Sequence, residues 1–116
     1  MEAIFDLDGR TVAWLNEEAI YDVDGTPVAL LRGTAAYSFL GEQFGFFVSG
    51  FFFDGDGNAV GFIREAEGGP FKPQIQDSPR QPVFDPLPLA PTLPIPEIPP
   101  VPTLFWSEFN WDEFVE

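Results

Sequence analysis

The aspartates of the first half fall in a repeated pattern that could either bind calcium or form a tight turn. The pattern Asp-x-Asp-Gly occurs at Asp6-x-Asp8-Gly9, Asp22-x-Asp24-Gly25 and Asp54-x-Asp56-Gly57. A calcium loop opens in this way, but it needs further oxygen ligands and a closing bidentate glutamate, which the spacing here does not supply. Turn chemistry explains the residues without a metal. We therefore expect turns and no metal site, with weak calcium binding as the alternative.

Other catalytic chemistry has few residues to draw on. The chain has no histidine and no cysteine, which removes disulfides, thiol nucleophiles, serine–histidine triads and nearly all zinc chemistry. Lys72 is the single lysine, so a Schiff base or a phosphate clamp is poorly supported. Paired carboxylates can act as acid and base, yet many of the acids lie at predicted turn tips in water. We expect no enzymatic activity and no cofactor.

Charge limits the class of partner. The chain carries 19 acidic and 5 basic residues, a formal net charge of -14. This charge repels phosphate backbones and anionic membrane surfaces, so we expect neither nucleic-acid nor membrane binding. A basic partner, or one that uses acidic-aromatic contacts, fits better. No apolar stretch approaches the ~20 residues of a membrane span, and Met1 to Gly9 lacks the pattern of a signal peptide. We expect a cytoplasmic location.

Composition divides the chain at Gly68-Gly69-Pro70. Twelve of the 13 prolines lie from Pro70 onward, and no glycine follows Gly69. The division predicts a β domain over residues 1–67, a proline-rich segment over 68–103 and an acidic-aromatic motif over 104–116. The last two together are called the tail below.

The β domain is a fourfold repeat of 16 residues without gaps. An Asp or Ser that opens a type I turn, followed three residues later by a glycine in the left-handed conformation, predicts a short hairpin loop in each repeat. The turn residues are Asp6 and Gly9, Asp22 and Gly25, Ser38 and Gly41, and Asp54 and Gly57. The flanking runs are aromatic and β-branched, as strands prefer.

Four equal hairpins predict an all-β fold. A lone hairpin is barely stable in water, so the four must share a core. Closure protects strand edges, which favours a closed pseudo-four-fold arrangement over an open meander. Small residues recur at one equivalent position of each repeat, called the small-residue station below. This suggests that the backbones approach closely near a central axis. The small residues are Ala13, Ala29, Gly45 and Gly61.

Both faces of the predicted strands are apolar, and a domain of about 65 residues cannot easily cover both. The tail, a second copy or a partner would then cover one of them. The candidate interaction face carries one large side chain per repeat, and the alternative is that this set is part of the core. The set is Trp14, Leu30, Phe46 and Phe62.

The repeat [Phe/Tyr]-Asp-x-x-Gly-x-x-Val-[Ala/Gly]-[aromatic/Leu] resembles the bacterial 4-fold beta flower domain over about residues 3–66. The similarity extends to the Pro-x-Pro stretches and to the motif Trp106-Ser107-x-x-x-Trp111-x-x-Phe114. The resemblance implies a β-only fold with pseudo-four-fold symmetry and implies no activity. The third repeat departs from the pattern, because it has Ser38 and Leu40 where the others have Asp.

The proline-rich segment alternates proline with apolar residues, which favours a polyproline II conformation. It could act as a spacer, as a ligand for an aromatic groove or as a strap over its own domain. The C-terminal motif interleaves aromatics with acids, and Asn110 and Glu113 have the spacing of a capping box for a helical turn that starts at Trp111. Extended structure is equally compatible with the motif.

These features predict a non-enzymatic interaction or adaptor module. Its C-terminal motif would bind a partner or its own domain through aromatic anchors of the kind that dominate interfaces. The anchors are Trp106, Phe109, Trp111 and Phe114. The alternatives are a structural module that assembles with copies of itself, and a β domain that binds calcium or another ligand weakly.

Overall fold

The computed structural model describes residues 2–76 and 80–115. Within them, eight antiparallel strands follow one another around a closed barrel, so the predicted closed all-β fold is confirmed. The strands are β1 (Glu2–Phe5), β2 (Thr11–Asn16), β3 (Ala19–Tyr21), β4 (Pro27–Arg32), β5 (Ala35–Tyr37), β6 (Gln43–Val48), β7 (Phe51–Phe53) and β8 (Ala59–Phe62). The barrel closes through Phe5 on β1 and Phe62 on β8.

Each 16-residue repeat forms one hairpin with the same register. A residue of the short strand pairs with the small-residue station of the long one: Ile4 with Ala13, Ile20 with Ala29, Ala36 with Gly45, and Phe52 with Gly61. In every hairpin the register then shifts by one residue towards the turn. Such bulges bend a strand and increase its twist, which suits closure of a small barrel.

The four turns share one hydrogen-bond pattern. In the first, Asp6 Oδ1 accepts the backbone N–H groups of Asp8 and Arg10 at 2.9 and 3.0 Å, and Gly9 N–H donates to Asp6 O at 3.0 Å. Gly9 has a φ of 77°, in the left-handed region that favours glycine. In the third turn Ser38 Oγ replaces the carboxylate, and its two contacts are longer, at 3.3 and 3.4 Å.

The barrel interior is filled in layers of one residue per repeat. Three of these layers are Ile4, Ile20, Ala36 and Phe52; Ala13, Ala29, Gly45 and Gly61; and Leu15, Leu31, Phe47 and Ile63. The backbone is repeated, but the side-chain volumes are not. Ala36 is small, for example, whereas the ring of Phe52 packs 4.5 Å from the ring of Phe47. The strand register of the core therefore repeats four times, whereas the volumes of the side chains that fill it differ from repeat to repeat.

The tail packs against this barrel. Its described residues form no strand longer than a single bridge, between Ala59 and Trp106, and one helix, α1 (Trp111–Val115). Of the two conformations that the sequence left open for the C-terminal motif, the helical turn that starts at Trp111 is the one observed. No helix within residues 2–76 and 80–115 is long and apolar enough to cross a membrane.

Asp22→Ala should lower the free energy of unfolding by about 1–2 kcal/mol, because two backbone amides lose their acceptor. The control is Asp24→Ala, in the same turn, whose exposed side chain accepts no hydrogen bond and should change stability by less than about 0.5 kcal/mol. Urea denaturation of both variants checks this, and equal losses would contradict the role of the first turn position.

Candidate functional site

The predicted interaction face lies under the tail. Trp14, Phe46 and Phe62 are buried, and Leu30 is half-buried. Two groups of tail residues cover them. Phe46 and Phe62 pack with Ile75 and Trp106, whereas Trp14 and Leu30 pack with Phe84. The four residues thus contribute to the core that the barrel and the tail share, which is the alternative that the sequence left open.

The tail passes the four turns with a period of nine residues, which sequence reasoning missed. The period begins with a proline at Pro73, Pro82, Pro91 and Pro100. The next residue places its carbonyl oxygen against a turn glycine: Gln74 on Gly9, Val83 on Gly25, Thr92 on Gly41 and Val101 on Gly57. The third position is half-buried in every copy, at Ile75, Phe84, Leu93 and Pro102. The spacing of the prolines was the signal available in the sequence.

The turn glycines therefore have a second role besides their backbone conformation. A Cβ on Gly9 would lie 2.1 Å from the carbonyl oxygen of Gln74, and one on Gly25 would lie 2.1 Å from that of Val83. Only a residue without a side chain lets the tail approach so closely.

Backbone hydrogen bonds to the turn glycine hold the tail at three of the four turns. Gly9 O accepts from Gln76 N–H at 3.0 Å, Gly25 O from Asp85 N–H at 2.9 Å, and Gly57 O from Thr103 N–H at 3.1 Å. The next member of this series, nine residues after Asp85, is Pro94, which has no N–H. Here the tail accepts a hydrogen bond instead of donating one, because the hydroxyl of Tyr37 donates to Pro94 O at 2.9 Å.

After the fourth turn, the tail runs parallel to the start of β8. Ala59 N–H donates to Phe105 O at 2.9 Å, and Ser107 N–H donates to Ala59 O at 2.8 Å. The hydroxyl of Ser107 also donates to Asp54 Oδ2 at 2.6 Å. These contacts place the half-buried ring of Trp106 on the outer face of the barrel, 6.0 Å from the ring of Phe62.

Helix α1 then covers the end of the barrel that carries the four turns, called the turn end below. Asn110 Oδ1 accepts Glu113 N–H at 2.9 Å, and Glu113 Oε1 accepts Asn110 N–H at 3.2 Å, which forms a capping box. Trp111 and Phe114 project from this turn into the interior cluster and are buried. Trp111 meets Phe52 edge-on at 5.2 Å, and Phe114 meets Phe44 edge-on at 5.0 Å.

The small-residue station provides the space for these two rings. A Cβ on Gly45 would lie 2.3 Å from Cζ of Phe114, and a Cβ on Gly61 would lie 3.1 Å from the ring of Trp111. The first two repeats carry Ala13 and Ala29 at the same station. The station is therefore smallest in the two repeats that receive the aromatic rings.

Two aromatic side chains of the C-terminal motif remain exposed, Phe105 at 71% and Phe109 at 54%. They line a cleft of ≈ 340 Å³ between the fourth turn and the tail, together with Asp54, Asp56 and Glu108. A second cleft, of ≈ 160 Å³, adjoins the first turn and shares Phe109 and Glu108. Every ionisable side chain that lines either cleft is acidic. The surface formed by Phe105, Phe109 and these acids is called the acidic-aromatic surface below.

The turn aspartates do not converge on a common site. The Oδ1 atoms of Asp6, Asp22 and Asp54 each accept two backbone amides of their own turn. In the part of the chain that the structure describes, no three Asp, Glu, His or Cys side chains come together in a way that could hold a metal ion.

The fold and its tail define a class: a closed barrel of four β-hairpins with pseudo-four-fold symmetry, sealed by a C-terminal segment of the same chain. The model of the 4-fold beta flower protein family matches residues 2–115, and the chain belongs to that family. No curated protein and no solved structure matches the chain.

Gly45→Ala should lower the free energy of unfolding by about 2 kcal/mol, because its new methyl group overlaps the ring of Phe114. In a Phe114→Ala background the same substitution should cost clearly less, and the remaining cost comes from the backbone oxygen of Phe53, which lies 2.9 Å from the new Cβ. A double-mutant cycle by urea denaturation measures this coupling. Equal costs in both backgrounds would show that the methyl group clashes with the barrel and not with the helix.

Phe84→Ala should lower the free energy of unfolding by about 1–2 kcal/mol, because the ring packs 4.4 Å from that of Tyr21. The neighbouring Val83, 88% exposed, provides the control, and Val83→Ala should have an effect below about 0.5 kcal/mol. Thermal unfolding followed by circular dichroism compares the two. A loss of stability in Phe84→Ala that is no larger than the loss in Val83→Ala would argue against packing of the tail at the second turn.

Proposed function

We propose that this protein is a non-enzymatic interaction module of the bacterial cytoplasm that binds a basic protein segment at its acidic-aromatic surface. The observation that carries the proposal is the exposure of Phe105 and Phe109 between carboxylates, while the neighbouring Trp106, Trp111 and Phe114 pack on the barrel. The C-terminal motif thus has two faces. One completes the fold, and the other presents aromatic rings to a partner.

The chemistry of the surface favours a segment that alternates basic and apolar residues. Phe105 and Phe109 offer apolar area and ring faces, to which a guanidinium group is attracted. Asp56 and Glu108 line the same cleft and complement positive charge. The net charge of -14 attracts such a partner over a longer range and accelerates its association.

The probe for this proposal is a short synthetic peptide that alternates arginine and leucine, with a glutamate–leucine peptide as the charge control. We expect only the arginine peptide to bind, and its affinity should fall as salt is raised. Phe105→Ser with Phe109→Ser should weaken binding about tenfold, as expected when two aromatic contacts are lost. Isothermal titration calorimetry at low and high NaCl measures both effects.

The matched control is Leu89→Ser with Ile95→Ser, which removes two exposed apolar residues elsewhere on the tail. This variant should bind the arginine peptide as the parent does. No loss in either double variant would show that charge alone attracts the peptide, and equal loss in both would show that the acidic-aromatic surface is not the binding site. Absence of binding at low salt would refute the proposal.

A further inference from the structure

The barrel interior is a binding site for the C-terminal segment, here residues 110–115, and the chemistry of that site does not require both to belong to one chain. We propose that the interior also binds the C-terminal segment of a second copy of this protein, so that two copies exchange Trp111 and Phe114 at their turn ends. This inference concerns the turn end of the barrel and does not depend on the binding of a basic partner.

The site is shaped for its occupant. Gly45 and Gly61 leave space where Phe114 and Trp111 enter, and Phe44 and Phe52 meet the entering rings edge-on. These contacts involve only the barrel and the C-terminal segment. They are therefore identical whichever copy supplies the segment.

The occupant is a self-contained unit. Its capping box joins Asn110 to Glu113 within the segment itself. A five-residue helix is not stable alone in water, so α1 depends on a barrel for its packing. The segment can use any turn end within its reach.

The connection is long enough for exchange. Glu97 N–H is held by Gln43 Oε1 at 3.0 Å, which fixes the tail near the third turn. Once Thr103, Phe105 and Ser107 release their hydrogen bonds to the barrel, the chain from residue 98 to 110 can extend about 40 Å at ~3.1 Å per residue. This reach exceeds the largest extent of the molecule, 36 Å. A tail that stays in place up to Glu97 can therefore enter the turn end of a copy placed face to face.

The turn end carries apolar side chains that the described chain covers only in part. Leu7, Val23 and Leu40 lie at the tips of three turns and are 51%, 49% and 85% exposed. Residues of this kind on three sides of one opening favour contact with a second apolar rim. Apposition of two turn ends would cover all three tips in each copy.

Charge acts against this association. Asp8, Asp24, Glu42 and Asp56 lie on the turns of each copy, and the C-terminal segment is itself acidic. Like charges would face each other, so added salt should favour exchange. A basic partner at the acidic-aromatic surface has the opposite salt dependence, so the failure of one proposal is distinguishable from the failure of the other.

Two full-length variants test the exchange. The acceptor carries Trp111→Ala and Phe114→Ala, which removes from its interior the two aromatic side chains that fill it, called the plug below. The donor carries Gly45→Ala and Gly61→Ala, which gives all four repeats alanine and removes the space for its own plug. The control donor carries the same two alanines together with Trp111→Ala and Phe114→Ala. Native mass spectrometry and donor tryptophan fluorescence follow the mixtures.

We expect acceptor and donor to form a one-to-one complex with a blue-shifted tryptophan emission, and the complex to increase when NaCl rises from about 20 to about 500 mM. The acceptor with the control donor should remain monomeric. Folded variants that stay monomeric in the first mixture would overturn the proposal.

Where either variant fails to fold, the wild-type protein provides the decisive measurement. Equal amounts of unlabelled and ¹⁵N-labelled chain are incubated near 1 mM, since an intramolecular plug competes with an effective concentration of that order. Dimers of mixed isotopic mass are expected. Only monomers would overturn the proposal.

Discussion

The barrel wall is a single closed sheet with apolar side chains on both faces, and the rest of the structure follows from the need to cover both. Closure of the four hairpins covers the inner face, since one residue per repeat fills each interior layer. It does nothing for Trp14, Phe46 and Phe62, which point outward. A β domain of about 65 residues has no further segment that could cover the outer face. The tail covers this face, and the same tail closes the turn end with Trp111 and Phe114.

The dimensions of the barrel account for the nine-residue period of the tail. The two larger extents of the molecule are 36 and 34 Å, so a quarter of a circle 35 Å across measures about 27 Å (π × 35/4). Nine residues of polyproline II cover about 28 Å at ~3.1 Å each. One proline-initiated unit of the tail therefore spans one hairpin of the barrel. Proline limits the backbone to this extended form at little entropic cost, which explains why the segment is rich in proline although it is packed against a surface.

The sequence predicted the barrel well because its signal is repeated four times. Asp or Ser followed three residues later by glycine identifies each turn locally, and the 16-residue spacing makes an equal arrangement of hairpins the simplest solution. The closed sheet was predicted on these grounds, whereas the helical turn at Trp111 was one of two conformations that the spacing of Asn110 and Glu113 left open.

The course of the tail is a different case, because its period is carried by four prolines among the 12 from Pro70 onward. The half-buried residues that follow, Ile75, Phe84, Leu93 and Pro102, have only their apolar character in common. The site that receives α1 is harder still to predict. It depends on two methyl groups that Gly45 and Gly61 lack, and on which face of a bent strand these residues occupy.

A barrel with exact four-fold symmetry would offer several equivalent positions to α1, and the residues that differ between the repeats distinguish these positions. With identical repeats, the barrel interior by itself would offer α1 four equivalent orientations, and only the attachment of the tail at the fourth turn would distinguish them. Gly45 and Gly61 admit the two aromatic rings, whereas Ala13 and Ala29 fill the same space in the first two repeats. The observed orientation, which directs Phe114 to the third repeat and Trp111 to the fourth, places each ring beside a glycine. The symmetric register stabilises the barrel, and the loss of two side chains from it selects one position for the segment that completes the fold.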